Sequence, residues 1–435
     1  MKRSYVVIDL KSFYASCECA QRGLHPLKTN LVVADPERGK GTLCLAVSPS
    51  LKAQGVKNRC RVYEIPKHIP YLMAPPRMQL YINYAAEIYD IYLDYLSKDD
   101  IFVYSIDEAF LDITSYIPLY GKSPKELAQF LLHQIWNRLY LPATCGIGTN
   151  LYLAKIALDI VAKHSPDYIG ELSELTFKET LWHHRPLTDF WRIGKGTERR
   201  LHSLGIYDMA GVASSSYDKL KKVFGVDAAI LYDHAWGREP TTITDIKNYR
   251  PKARSVSMNQ VLLRDYSGDE ALLIVVEMAE QLALELTRRR SVAQTFTLFI
   301  GFSMRVRTVP PVHASFRLYK ATDSQKLITD HLVTLYKEKV PSTSIVRRIS
   351  LSAEHILPNS LQQMSLFESP ADTTREHKKQ LVLLEIKKRF GKNSIFRGID
   401  LLDGATTRQR NEQIGGHKDG GKETRVTPRQ NISTL

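Results

Sequence analysis

Long apolar runs are missing from this chain: nothing in it approaches the roughly 18 consecutive apolar residues of a membrane span. The opening Met1-Lys2-Arg3-Ser4, then Tyr5-Val6-Val7-Ile8, breaks at Asp9 and does not read as a signal peptide. Cysteine is scarce. The five residues Cys17, Cys19, Cys44, Cys60 and Cys145 are odd in number and form no C-x-x-C. That excludes a disulfide scaffold and a zinc ribbon, and it fits a reducing cytosol. A complete P-loop is also lacking, because Gly194-Lys195-Gly196-Thr197 and Gly39-Lys40-Gly41-Thr42 do not finish G-x-x-x-x-G-K-[ST]. His183-His184 has no partners at metal-ligand spacing, and no internal repeat is visible.

What is present is ordinary globular composition with excess positive charge. The 435 residues suggest two to four domains. A hydrophobic fraction of 43% and a charged fraction of 24% exclude wholesale disorder. Lys+Arg number 60 against 46 Asp+Glu, a net charge of +14 with pI near 9.3. Such a balance suits a polyanionic partner, nucleic acid first and an anionic membrane surface second. Residues 171–240 are neutral overall, whereas 251–355 and 356–435 each carry +5.

Residues 239–252 are polar, aperiodic and bracketed by prolines, and read as a linker. Beyond them the pattern predicts strand 255–263, helix 269–290 and strand 295–303, then strand 312–319, helix 323–337 and strand 344–354. That β-α-β-β-α-β order is a split βαβ arrangement, which leaves one sheet face open. A helix is expected at about 374–390, and beyond about 404 a mobile tail of Gly, Thr, Gln, Asn and charge.

Ser4–Asp9 is an apolar strand ending in an acid, and Ile101–Ile106 leads into Asp107-Glu108. Successive strand residues face opposite ways, so both acids serve one site only if the chain bends there, as at a hairpin tip. Three converging carboxylates without His or Cys are hard-oxygen chemistry, suited to Mg²⁺. The spacing alone equally allows Asp9 to cap a turn and Asp107-Glu108 to be a solvated loop.

The wider wording is more specific. Asp9-Leu10-Lys11-Ser12-Phe13-Tyr14-Ala15-Ser16, then Tyr104-Ser105-Ile106-Asp107-Glu108-Ala109-Phe110-Leu111-Asp112, then Gly146-Ile147-Gly148-Thr149-Asn150 with Leu153-Ala154-Lys155-Ile156-Ala157, closely resembles the Y-family translesion DNA polymerases, in the bacterial UmuC-like branch. The resemblance covers about residues 4–355. It implies an α+β multidomain right hand: a palm (1–23 and 76–168), small fingers (24–75) and a helical thumb with a helix-hairpin-helix (171–240). After the linker (241–252) would come a βαββαβ little finger (253–355), a clamp-binding peptide with a following helix (356–403), and a mobile basic tail (404–435).

By the same resemblance Asp9, Asp107 and Glu108 are catalytic and hold two Mg²⁺, with the Leu10 carbonyl as a further ligand. Tyr14 is the steric gate against the ribose 2′-hydroxyl, beside Phe13, and Lys155 binds triphosphate from a helix opened by Thr149-Asn150. Many relatives grip the triphosphate with a Tyr and an Arg in the fingers. Here those positions are Pro49 and Lys52, and a lysine offers charge without a bidentate fork. Tyr81, Tyr84, Tyr89, Tyr92 and Tyr95 fall at near-helical spacing and read as palm-helix core and rim.

Phe190-Trp191-Arg192-Ile193-Gly194-Lys195-Gly196-Thr197 looks like a helix-hairpin-helix, in which Gly194, Lys195 and Gly196 would meet a DNA phosphate, with Gly205 as a helix stop. Gln363-Met364-Ser365-Leu366-Phe367 resembles the Gln-x-x-Leu-Phe peptide of bacterial sliding-clamp ligands. The implied partners are primer-template DNA, dNTP and a sliding clamp, with no membrane; a recombinase filament or accessory subunit stays open. The implied role is error-prone synthesis in DNA damage tolerance and the SOS response, in the cytoplasm. Two alternatives stand beside it: a catalytically idle DNA-binding scaffold of a repair complex, and a nucleotidyl cyclase with a palm-like fold.

Overall fold

A computed structural model describes residues 3–251, 254–303, 310–361 and 370–421. The chain divides into two compact units, Met1–Tyr249 with Asp419–Leu435, and Arg250–Lys418.

In chain order the first unit contains β1 (Tyr5–Leu10), α1 (Phe13–Gln21), β2 (Leu31–Val33), β3 (Ala46–Val47), α2 (Pro49–Ala53), β4 (Leu72–Ala74), α3 (Met78–Leu93), β5 (Ile101–Val103), β6 (Glu108–Asp112), α4 (Tyr116–Tyr120) and α5 (Pro124–Leu139). There follow β7 (Ala143–Gly148), α6 (Leu151–Ile156), β8 (Ile169–Leu172), α7 (Glu174–Leu181), α8 (Lys195–His202), α9 (Met209–Ser214), α10 (Tyr217–Phe224), α11 (Asp227–Ala235) and α12 (Ile243–Asn248). The main sheet runs β5-β6-β1-β7-β8. β1 is its centre and every residue of it is buried except the partly exposed Asp9, as a near-continuous apolar run requires.

Residues 24–75 form a small subdomain. Its sheet runs β3-β2-β4, and its own core holds Val32, Val47, Leu51, Val62 and Ile69. The helices from α7 to α11 share one core with α6, so residues 171–240 continue the packing of the sheet unit without a gap. The expected linker is half structured. Thr242 and Asp245 make a capping box that opens α12, and Ile243 is buried with Tyr5, Val7 and Phe110. Thr-x-x-Asp followed by apolar residues three apart was the available signal, masked by the flanking prolines.

The glycines of β7 explain how α6 sits. A Cβ on Gly146 or Gly148 would fall 2.1 Å from backbone atoms of Ala154, so only glycine lets this helix lie directly on the strand. Past α6 the chain makes one π-turn at Ala157–Val161, against which Gly170 of β8 fits.

The second unit has β9 (Ser255–Ser267), α13 (Gly268–Arg288), β10 (Ser291–Phe302), β11 (Val312–Thr322), α14 (Gln325–Lys339) and β12 (Ile345–Glu354). All its sheet pairings are antiparallel, in the order β11-β10-β12-β9. Each strand-helix-strand crossover is thus split by another strand, and α13 and α14 bury Ile274, Met278, Leu282, Ile328 and Leu332 against Phe296, Leu298 and Leu351. Further on lie β13 (Leu357–Pro358), α15 (Pro370–Phe390), α16 (Thr407–Asn411), β14 (Gln413–Ile414) and β15 (His417–Lys418). The expected mobility from 404 onward does not hold as far as 421. Glu277 of α13 is 1% exposed and accepts from the amides of Thr406 and Thr407 at 3.0–3.1 Å. A buried carboxylate needs donors, and the N-terminus of α16 supplies them. The expected clamp residues Gln363, Met364, Leu366 and Phe367 lie outside the described residues.

Gly148→Ala should lower unfolding stability by about 3 kcal/mol, because α6 must shift to admit the methyl group. Gly194→Ala, whose Cβ meets nothing within 4 Å, should change it by less than about 0.5 kcal/mol. Denaturant unfolding followed by circular dichroism checks the contrast, and equal effects would show that α6 is not so closely seated.

Candidate active site

Antiparallel register assembles the acids. β1 lies between β6 and β7, and Asp9 is paired with Glu108 on one side and Thr144 on the other. Opposed residues on antiparallel strands share a face, so Asp9 and Glu108 project together. Asp107 sits at the tip joining β5 to β6. The N–H groups of Tyr104 and Ser105 both donate to the Glu108 carbonyl, at 2.9 and 3.1 Å, and the Leu10 N–H donates to the Asp107 carbonyl at 3.0 Å. This is the bend that two successive acids need to serve one site. The Asp107 carboxylate accepts from Ser105 Oγ at 2.6 Å.

Burial raises the Asp9 carboxyl from the ordinary aspartate value to about 7, and the neighbouring Asp107 and Glu108 push the same way. Burial also raises Glu108, against the pull of Lys155. Lys155 is 8% exposed, with Nζ 2.8 Å from Glu108 Oε1 and 3.2 Å from Asp159 Oδ1. Burial alone would lower Lys155; Asp159 and Glu108 overcome it and keep the ammonium charged. In this structure Lys155, expected to meet triphosphate, stands beside the acidic cluster. Its charge is paired with two carboxylates, Glu108 across the sheet and Asp159 four residues on along its own helical run.

The donor set suits a hard divalent cation: it consists of oxygen only and carries more negative charge than Lys155 offsets. Among the described residues, no three His, Cys, Asp or Glu side chains converge into a ligand set as they stand. Glu108 is turned to Lys155 and Asp107 to Ser105, the arrangement expected of like charges holding apart.

Phe13 is buried and Tyr14 partly exposed on α1. The Tyr14 ring stacks on that of Tyr81, centroids 4.4 Å apart. Pro49 opens α2 and Lys52 lies exposed in its last turn. Lys52 sits below the usual lysine range through desolvation and the nearby Lys163, while Asp9 draws it up. Lys11, also lowered, by burial and by Lys52, lies over the Tyr168 ring at 3.3 Å. Lys11 and Lys163 were missed in the sequence. Lys11 stood inside the first motif, but nothing in linear spacing brings Lys163 to Lys52.

Gly194 caps α8, and a Cβ on either Gly194 or Gly196 would meet open space. The backbone of this turn is thus bare of side-chain cover, with Lys195 beside it. Gly205 ends the segment at φ +76°, and Ile206 N–H returns to the Leu201 carbonyl at 3.0 Å. Trp191, just before the turn, donates from Nε1 to the Tyr104 hydroxyl at 3.3 Å, which ties it to the acidic hairpin. His183 and His184 engage Asp208 and Asp189, in keeping with a structural role.

The raised Asp9 value has a sign for stability. A carboxyl whose folded pKa lies above its unfolded value stabilises the fold at low pH, and that contribution is lost as pH rises through about 7. With chelator present, the unfolding temperature should fall between about pH 4 and 7 by the equivalent of up to about 4 kcal/mol. Asp9→Asn should remove most of that slope, and thermal scans of both proteins across pH provide the check.

The impB/mucB/samB family matches residues 8–159, and its C-terminal domain matches 253–366. A Bacillus subtilis (strain 168) protein named for UV-damage repair, UvrX, is 31% identical over 427 residues, covering 96% of this chain and 98% of that one. DNA polymerase IV 2 of Halalkalibacterium halodurans is 26% identical over 96% of this chain and 100% of its own length. Among solved structures, a Y-family DNA polymerase chimera of Dbh and Dpo4 matches the fold with a TM-score of 0.63 at 20% identity, over 82% of this chain and all of its own. With both halves matched and a relative above 30% identity along nearly its whole length, the chain belongs to the impB/mucB/samB family, that of the Y-family DNA polymerases.

Proposed function

We propose that the Asp9, Asp107 and Glu108 cluster is the phosphoryl-transfer centre of a DNA-directed DNA polymerase that copies damaged templates. The observation carrying this reading is the register that opposes Asp9 to Glu108 with Asp107 at the adjoining tip. Polymerases of this family are metal-dependent. The three carboxylates and the Leu10 carbonyl would hold two Mg²⁺, which supply activation of the primer 3′-hydroxyl and stabilisation of the leaving pyrophosphate. Lys155 favours the ionised form of Glu108 against burial and orients it. Lys11, Lys52 and Lys163 present positive charge toward the triphosphate, in place of a bidentate arginine. Tyr14, backed by Phe13, lies under the incoming sugar and leaves no room for a 2′-hydroxyl.

Residues 1–23 and 76–168 act as palm, 24–75 as fingers and 171–240 as thumb, in which Gly194, Lys195 and Gly196 offer bare backbone and charge to a phosphate. Residues 253–355 act as the little finger on duplex DNA. An idle scaffold is disfavoured, since it would have no use for a carboxylate raised to about 7 by burial and by two further acids beside it. The enzyme would work in the cytoplasm during the SOS response, with a recombinase filament or accessory subunit as an open further partner.

Asp107→Ala should reduce nucleotide incorporation by roughly 10³-fold or more while primer-template affinity stays within about two-fold, because acids hold metal and basic surfaces hold DNA. Primer extension and fluorescence anisotropy separate the two, and extension at the parent rate would remove the central assignment. For the sliding clamp, replacing Leu366 and Phe367 together by Ala should abolish clamp-stimulated synthesis and leave unstimulated synthesis constant. Equal loss in both assays would place the pair in the fold instead.

A further inference from the structure

Helices α1 and α3 meet through two pairs of residues, each pair four apart and so on one face of its helix: Tyr14 with Glu18, and Arg77, the residue before α3, with Tyr81. The pairs interlock. Tyr14 stacks on Tyr81 with the ring planes 17° apart. Glu18 accepts a fork from Arg77, Nε at 3.0 Å and Nη2 at 2.6 Å. The Tyr81 hydroxyl donates to Glu18 Oε1 at 2.8 Å, and Arg22 donates from the far side. The Glu18 side chain and Tyr81 are both 0% exposed.

A buried ion pair is a poor device for stability, since apolar residues of similar volume do as well. What four donated hydrogen bonds supply is position. The phenol oxygen is pinned by Glu18, Glu18 is pinned by the two guanidinium groups, and the Tyr81 ring can neither turn nor slide along Tyr14. Burial opposes ionisation of Glu18, yet the arginines and Tyr81 hold it below the usual glutamate range, so it stays an acceptor.

We propose that Glu18, acting through Tyr81, is a positioning residue for Tyr14 and sets how strictly the site refuses a ribonucleotide. This rests on the reading of Tyr14 as the sugar-facing ring. Without the anchor, the Tyr14 ring keeps its bulk but loses its fixed height, and small displacements suffice to admit one oxygen atom.

The test measures kcat/KM for matched dNTP and rNTP insertion by the full chain on primer-template DNA with Mg²⁺. Tyr81→Phe keeps ring and volume and removes only the bond to Glu18. It should lower dNTP-over-rNTP discrimination roughly five- to ten-fold, mainly by raising rNTP kcat/KM. Glu18→Gln should move the ratio the same way. Should Glu18→Gln fail to fold, Tyr81→Phe alone carries the test. Tyr14→Ala should collapse discrimination, and adding Tyr81→Phe to it should change nothing further. A Tyr81→Phe ratio within two-fold of the parent, or an equal shift in the Tyr14→Ala background, overturns the proposal. Full discrimination in Tyr14→Ala would instead remove the gate reading itself.

Discussion

Burying like charges at the ends of neighbouring inner strands costs free energy, and much of the first unit is arranged around that cost. Asp9 and Glu108 are forced together by a register that also buries Val6, Val7 and Ile8, so the acids cannot separate without unpairing the central strand. One compensation is local: Ser105, within the same tip, donates its hydroxyl to the Asp107 carboxylate. The other is remote: Lys155 arrives from α6, which reaches the sheet only because Gly146 and Gly148 lack side chains. The residual negative charge is what makes the site a receptor for cations.

The same rule operates at several other buried acids among the described residues. Glu18 receives guanidinium groups, Glu277 receives a helix N-terminus, and Glu239 receives His234 and two donors from Thr241, which hold it near 2 against burial. At the β5–β6 hairpin, by contrast, burial and like charge leave Asp9 and Glu108 raised. The difference between a structural and a chemical carboxylate is thus visible as a deficit.

The motifs in the sequence pointed to the three clustered acids, to Tyr14 beside them and to the β-α-β-β-α-β unit, because each rests on local wording or on period-two and helical patterning. The pairing of Lys155 with Glu108 was not legible, because tertiary packing sets it, whereas Asp159 lies four residues on, a spacing the sequence does show. Lys163 is a charged residue on a turn and looks like any solvated lysine. Glu18 was hidden among apolar residues of a short helix, its meaning fixed only by α3, some sixty residues later. Helix α12 and the ordered part of the tail were obscured by proline, glycine and polar composition, although the capping box at Thr242 and the acid at Glu277 anchor them.

The close seating of α6 has a consequence for how this sequence can vary. The strand-to-helix passage Gly146–Lys155 is a fixed-length ruler: one residue inserted after Asn150 would rotate every later position of the helix by about 100°. Lys155 would then swing off Glu108 while a different side chain met the glycine floor of β7. Length is therefore held far more tightly here than composition. In the turn around Pro36–Gly41, which lies at the surface and carries no such reach, insertions and deletions can accumulate at little cost.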